Sequence, residues 1–148
     1  MKKEFGIGVV VIAIIAALPS FYNSLPQSSF AVVTRVIDGD TIVVEGGERV
    51  RLLDIDTAET GEPCYREAKD RLAELIDGQK VRLETNGLED KDQYGRLLRY
   101  VFLEDTNINL LMVEEGLANL YIVNKAQYYN QMRSAEHLAK SEAGCVWE

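Results

Sequence analysis

A chain of 148 residues has room for one domain with a modest core and not for two. Its net charge of −8, with no basic run, excludes a grip on nucleic acid through bulk electrostatics, so affinity for a polyanion has to come from a few local arginines and a metal ion. Two cysteines without a Cys-x-x-Cys or a Cys/His cluster exclude a structural zinc site or an iron–sulfur cluster.

The chain begins Met1-Lys2-Lys3-Glu4, followed by an uncharged run from Phe5 to Leu18. That run is short for a membrane span, suits the apolar core of an export signal, and is preceded by the lysines that such signals carry. Residues 1–22 are therefore expected to form a hydrophobic helix that engages the membrane or the export machinery. It serves either as a cleaved signal peptide or, with Phe21 and Tyr22 anchoring at the interface, as a retained signal anchor. Either outcome exports the rest, to the extracellular space, the periplasm or the outer face of the cytoplasmic membrane. Residues 23–29, Asn-Ser-Leu-Pro-Gln-Ser-Ser, read as a linker, and 30–148 as the domain.

From Phe30 the pattern is that of strands. Phe30–Ile37 and Thr41–Glu45 are rich in β-formers and flank the turn signal Asp38-Gly39; Gly46-Gly47 makes a second turn before a third strand over Arg49–Ile55. Glu62-Pro63 reads as a helix entry with proline at the first helical position. Tyr65, Ala68, Leu72, Leu75 and Ile76 recur at helical spacing up to a stop at Gly78. Lys80–Thr85 and Leu97–Leu103 are two more strands, joined by a polar loop. Asn109 is placed to cap a short helix ending at Gly116, Asn119–Val123 is a brief extension, and Gln127–Ala143 is a last helix. Five strands with a helix inserted after the third is the order of a mostly β, α+β OB-type barrel with three helices. Cys64 and Cys145 lie 81 residues apart; an even count in an exported chain favours a disulfide, with two separate buried thiols as the alternative. His137 reads as a solvated helix residue.

Four short segments carry the chemistry: Asp38-Gly39-Asp40-Thr41, Arg51 through Asp56-Thr57-Ala58-Glu59-Thr60, Asp92-Gln93-Tyr94-Gly95-Arg96 and Gly116-Leu117-Ala118. Each alone is weak, since acids crowd turns and strand ends for structural reasons. If the first three strands form a meander, however, the turn holding Asp40 and the strand end holding Asp56 meet at one end of the barrel. Two carboxylates brought together repel unless a cation lies between them, and oxygen ligands select Ca²⁺ or Mg²⁺. Beside such an ion, Arg51 and Arg96 can grip phosphate oxygens, and Glu59 can take a proton from an attacking water. This is the equipment for attack on a phosphodiester.

On those four segments, from about Phe30 to Trp147, the chain resembles the staphylococcal (thermo)nuclease family. The resemblance implies an OB-fold enzyme that uses Ca²⁺ to hydrolyse DNA and RNA and leaves 3′-phosphates. It implies that Asp40, Asp56 and the Thr57 carbonyl hold the ion, that Arg51 and Arg96 neutralise the transition-state phosphate, and that Glu59 is the base or water-orienting group. Asp92 and Tyr94 would lie beside the nucleotide. This chain departs from the family pattern at Ala58, where proline is usual, and at Gln93, where a basic residue is common; neither removes a catalytic group. Rival readings are a non-catalytic module that binds single-stranded nucleic acid or protein, and a structural calcium-binding envelope protein. Nothing in the sequence points beyond a monomer.

Overall fold

The computed structural model describes residues 28–122 and 127–147. The expected hydrophobic helix over 1–22, most of the linker, and Val123 at the end of the expected extension lie outside them. In chain order the elements are β1 (Ser28–Val36), β2 (Thr41–Val44), β3 (Arg49–Leu52), β4 (Ile55–Asp56), α1 (Tyr65–Ile76), β5 (Lys80–Glu84), β6 (Leu97–Leu103), β7 (Thr106–Asn107), α2 (Ile108–Glu114), β8 (Asn119–Leu120), α3 (Tyr129–Ser141) and a 3₁₀ turn, Cys145–Trp147.

β1, β2 and β3 form the antiparallel meander, with Val36 opposite Ile42 and Ile42 opposite Val50. β1 also pairs with β5, β5 with β6, and β6 returns to β3 in parallel, Arg51 opposite Leu98. The circuit β1-β2-β3-β6-β5 closes the sheet on itself, so the described residues form a five-stranded OB-type barrel with three helices. Closure follows from the apolar residues: Val33, Ile42, Val50, Leu52, Val81 and Val101 are all fully buried inside it. Each such side chain contributes about 1.5–3 kcal/mol of transfer free energy. α1 buries Ala68, Leu72 and Ile76, one stripe at a spacing of four. α2 and α3 cover the other side through Met112, Val113, Met132 and Ala135.

Four local expectations are corrected. The third strand does not run unbroken to Ile55: it stops at Leu52, Leu53-Asp54 form a turn with Asp54 at φ 63°, and Ile55–Asp56 start a new pairing with Asn119–Leu120. The reading failed there because Leu53 and Ile55 are both buried, so the apolar run hides the turn. Pro63 is not the first helical residue; α1 begins at Tyr65, after Cys64 in the left-handed region. The cap of α2 is Asn107, whose side chain accepts from the Leu110 N–H, and not Asn109. Asn109 is instead fully buried, accepting from the Val101 N–H and donating to the carbonyls of Leu53 and Arg99. The last helix is shorter than expected, Tyr129–Ser141.

Cys64 and Cys145 are joined by a disulfide that ties the start of α1 to the C-terminal turn. The same turn is held by the Val146 N–H donating to the Gly116 carbonyl.

Candidate active site

The β1–β2 turn, the β3–β4 turn and the loop after β5 open at one end of the barrel around a cavity of about 630 Å³. Its lining includes Asp40, Arg51, Asp56, Glu59, Asp92, Tyr94 and Arg96, gathered from three distant stretches of chain. Thr57 sits just behind, lining a smaller recess with Ala58, Cys64 and Cys145.

Asp40 is delivered by the tight β1–β2 turn, in which Asp38 Oδ1 accepts from the Asp40 N–H. Both of its carboxylate oxygens are engaged. Oδ1 faces the Arg51 Nε at 3.1 Å and the Thr41 hydroxyl at 3.0 Å, while Oδ2 accepts from the N–H and hydroxyl of Thr57. Arg51 reaches across the β3–β4 turn to Asp56, Nη2 to Oδ1 at 2.9 Å, and its Nη1 donates to the carbonyls of Leu52 and Ile55. One guanidinium therefore lies between the two carboxylates. Burial pushes the Asp40 carboxyl up to about 6; Arg51 opposes the rise, Asp38 adds to it, and the Thr57 and Thr41 hydrogen bonds oppose it.

Arg96 enters from the start of β6. Its Nε donates to Asp92 Oδ2 at 2.6 Å, and Nη1 lies 3.4 Å from the Thr41 hydroxyl. Gly95, at φ 75°, makes the turn that brings Asp92 under both the Tyr94 and Arg96 N–H groups. Partial burial works to raise Asp92, but the hydrogen bonds from Arg96 and Tyr94 outweigh it and hold the carboxyl below its ordinary value. The Tyr94 ring is exposed, 5.5 Å from the Arg96 guanidinium carbon. Glu59 is exposed at the rim, on a loop whose backbone is held by Glu59 N–H donating to Glu62 Oε2. The arrangement presents two arginines, two carboxylates bridged by one of them, and an exposed acid around one cavity.

Asp38 and Asp54 are among the lining residues to which the sequence gives no functional role. Asp38 was visible only as part of a turn. The sequence reads Asp54 as mid-strand, yet it lies on the cavity wall, where its Oδ2 accepts a hydrogen bond from the Tyr100 hydroxyl. Burial raises Asp54, against the pull of that hydrogen bond, and burial followed by Asp54 raises Tyr100 strongly.

The donor set can be tested against a hard cation. Among the described residues no three His, Cys, Asp or Glu side chains cluster as metal ligands. Asp40 and Asp56 supply oxygen only, and both already lie within hydrogen-bonding distance of one positive group. An oxygen-only donor set is the chemistry that a hard cation such as Ca²⁺ takes.

Residues 49–148 match the family described as staphylococcal nuclease homologues. Over 76% of its length the chain is 37% identical to endonuclease YncB and 36% identical to SPbeta prophage-derived endonuclease YokF, both of Bacillus subtilis strain 168. It spans only 59% and 42% of the lengths of those two relatives. It is also 34% identical to the thermonuclease of Staphylococcus intermedius, over all of this chain and 99% of that one. With the barrel, the arginine–carboxylate cavity and these relatives together, the chain belongs to the staphylococcal nuclease homologue family.

Proposed function

We propose that this protein is a Ca²⁺-dependent nuclease that hydrolyses phosphodiester bonds of DNA and RNA and leaves 3′-phosphates. The observation that carries the reading is the Arg51 guanidinium set between Asp40 and Asp56 in a cavity that Arg96 and Glu59 also line. Asp40, Asp56 and the Thr57 carbonyl would hold the ion, which would supply charge neutralisation at the phosphate and a more acidic water.

The rest is done by the chain. Arg51 and Arg96 bind the non-bridging phosphate oxygens and stabilise the charge that grows as phosphorus becomes five-coordinate. Arg51 is held in place by two backbone carbonyls, so its aim is set before substrate arrives. Glu59 takes the proton of the water that attacks phosphorus. The bond to the 5′-oxygen breaks, that oxygen gains a proton from solvent, and the phosphate stays on the 3′ side. Asp92 and Tyr94 flank the nucleotide. The acidic remainder of the molecule repels polyanions, so binding rests on this local charge and weakens with salt. The export reading of residues 1–22 goes with this function: the nuclease acts outside the cell that makes it, as a monomer.

Digestion of single- and double-stranded DNA and RNA by the full chain tests the reading. Ca²⁺ is expected to support cleavage, chelator to abolish it, and phosphatase to be required before the products' 3′ ends can be extended. A chain that binds nucleic acid with Ca²⁺ but never cuts it would overturn the proposal in favour of a non-catalytic module.

A further inference from the structure

The cavity is larger than a phosphate needs, and Asp54, Leu53, Leu98 and Tyr121 line it together with the arginines. Tyr121 is largely exposed and follows β8 directly; its N–H donates to the Asp54 carbonyl at 2.9 Å, so the ring and the carboxylate belong to one local unit. Asp54 holds φ 63°, a conformation that side chains other than glycine and asparagine or aspartate rarely take. Its carboxylate is also oriented from behind. The Gln127 N–H donates to the Tyr100 hydroxyl oxygen, which leaves the hydroxyl proton for Asp54 Oδ2. Tyr100 is fully buried and packs edge-on against Tyr128, so this orienting group is rigid. No donor among the described residues reaches Asp54 Oδ1. An acceptor fixed in a cavity between apolar side chains and an aromatic ring is the chemistry that reads a base edge.

Resting on the nuclease reading, we infer that Asp54 is a specificity residue. Its free carboxylate oxygen accepts a hydrogen bond from the exocyclic amine of cytosine or adenine on a nucleotide next to the cleaved phosphate, and disfavours the keto oxygen that thymine or uracil presents there. The pair cytosine and thymine isolates the effect. The two rings are of similar size, and the group at C4 is a donor in one and an acceptor in the other.

The test uses single-stranded oligonucleotides with one cleavable phosphodiester among methylphosphonates, carrying cytosine or thymine at either flanking position. The measured quantity is kcat/KM with Ca²⁺ for the full chain. Wild type is expected to favour cytosine at one flank by on the order of tenfold. Asp54→Asn keeps the backbone conformation available, and the Tyr100 hydroxyl selects the amide oxygen, so the amide NH₂ faces the cavity. The preference is then expected to swing toward thymine. Tyr100→Phe frees the carboxylate to rotate and should shrink the preference without reversing it. Equal rates for the two bases in wild type, or a preference unmoved in both variants, would overturn the inference while leaving the nuclease reading intact. Failure to cut either oligonucleotide with Ca²⁺ would overturn both.

Discussion

Gly39 is pressed against Thr57: a methyl group placed on Gly39 would lie 2.8 Å from the Thr57 hydroxyl oxygen and 2.7 Å from the Ala68 Cβ. That hydroxyl donates to Asp40 Oδ2 at 3.1 Å, so the packing of one turn sets the aim of a carboxylate in the cavity. Gly39→Ala must move either the Thr57 segment or α1. It is expected to cost about 1–3 kcal/mol, the range for overpacked sites, and to weaken Ca²⁺ binding through the displaced Thr57. Urea denaturation and calcium titration calorimetry measure the two effects; unchanged values in both would show that the turn and the loop are not mechanically linked.

Asp40 gives the metal-free protein a pH signature. Its carboxyl is raised by burial to about 6 in the fold, against an ordinary value of 3.8. The folded state therefore binds this proton more tightly than the unfolded chain. The stabilising contribution is present at low pH and lost as pH rises through about 6. In chelator, the stability difference between wild type and Asp40→Asn should shift in favour of wild type by about 1 kcal/mol between pH 7.5 and pH 5. Urea melts at the two values check the sign, and a shift the other way would mean that Arg51 outweighs burial.

The disulfide between Cys64 and Cys145 closes a loop of 81 residues. In the chain-entropy account this is worth about 4 kcal/mol of stability, through restriction of the unfolded chain. Reductant, or the double change Cys64→Ala and Cys145→Ala, should lower the urea midpoint accordingly. The loop that carries Thr57 and Glu59 ends at Cys64, so activity should fall more steeply with reduction than the folded fraction does. Activity that simply tracks the folded fraction would confine the bond to stability.

Asn107 and Asn109 look interchangeable as helix caps in the sequence, and the structure gives them unequal weight. Asn107→Ala removes one cap and should cost about 1 kcal/mol. Asn109→Ala leaves the buried Val101 N–H and the Leu53 carbonyl without the amide that pairs them, at about 1–3 kcal/mol for each group left unsatisfied, while the Arg99 carbonyl keeps the Leu53 N–H. Asn109 should therefore be clearly the more damaging of the two in thermal unfolding.

The barrel was legible because its signals are local. Alternating Val and Ile positions, Asp38-Gly39, Gly46-Gly47 and Gly78 each determine the chain around them, and the strand over Leu97–Leu103 was read to the residue. The meeting of Asp40 and Asp56 followed from placing their turns at one end of a meander, with Arg51 expected on the same strand as Asp56; the place of Arg96 beside them rested on the family resemblance. What escaped depends on contacts far apart in sequence. Asp54 meets Tyr100 across 46 residues, and Asn109 meets Leu53 across 56, pairings that no window around either residue contains. The turn at Leu53-Asp54 was masked because Leu52, Leu53 and Ile55 are all buried, so apolar residues continue on either side of Asp54. Pro63 misled because the residue that caps the helix, Cys64, takes the left-handed region and is tied to Cys145 from outside its own segment.

The most direct measurement is single-turnover cleavage of DNA by Glu59→Gln and Arg51→Ala at saturating Ca²⁺, with circular dichroism verifying the fold. Neither change touches the barrel core, and each removes one group from the cavity wall. Rates at least a hundredfold below wild type, in the range expected for loss of a general base or a transition-state charge, are the predicted result. Cutting at near wild-type rates in a folded variant would contradict the role given to that side chain and, for both together, the reading of this cavity as the place where the phosphodiester is broken.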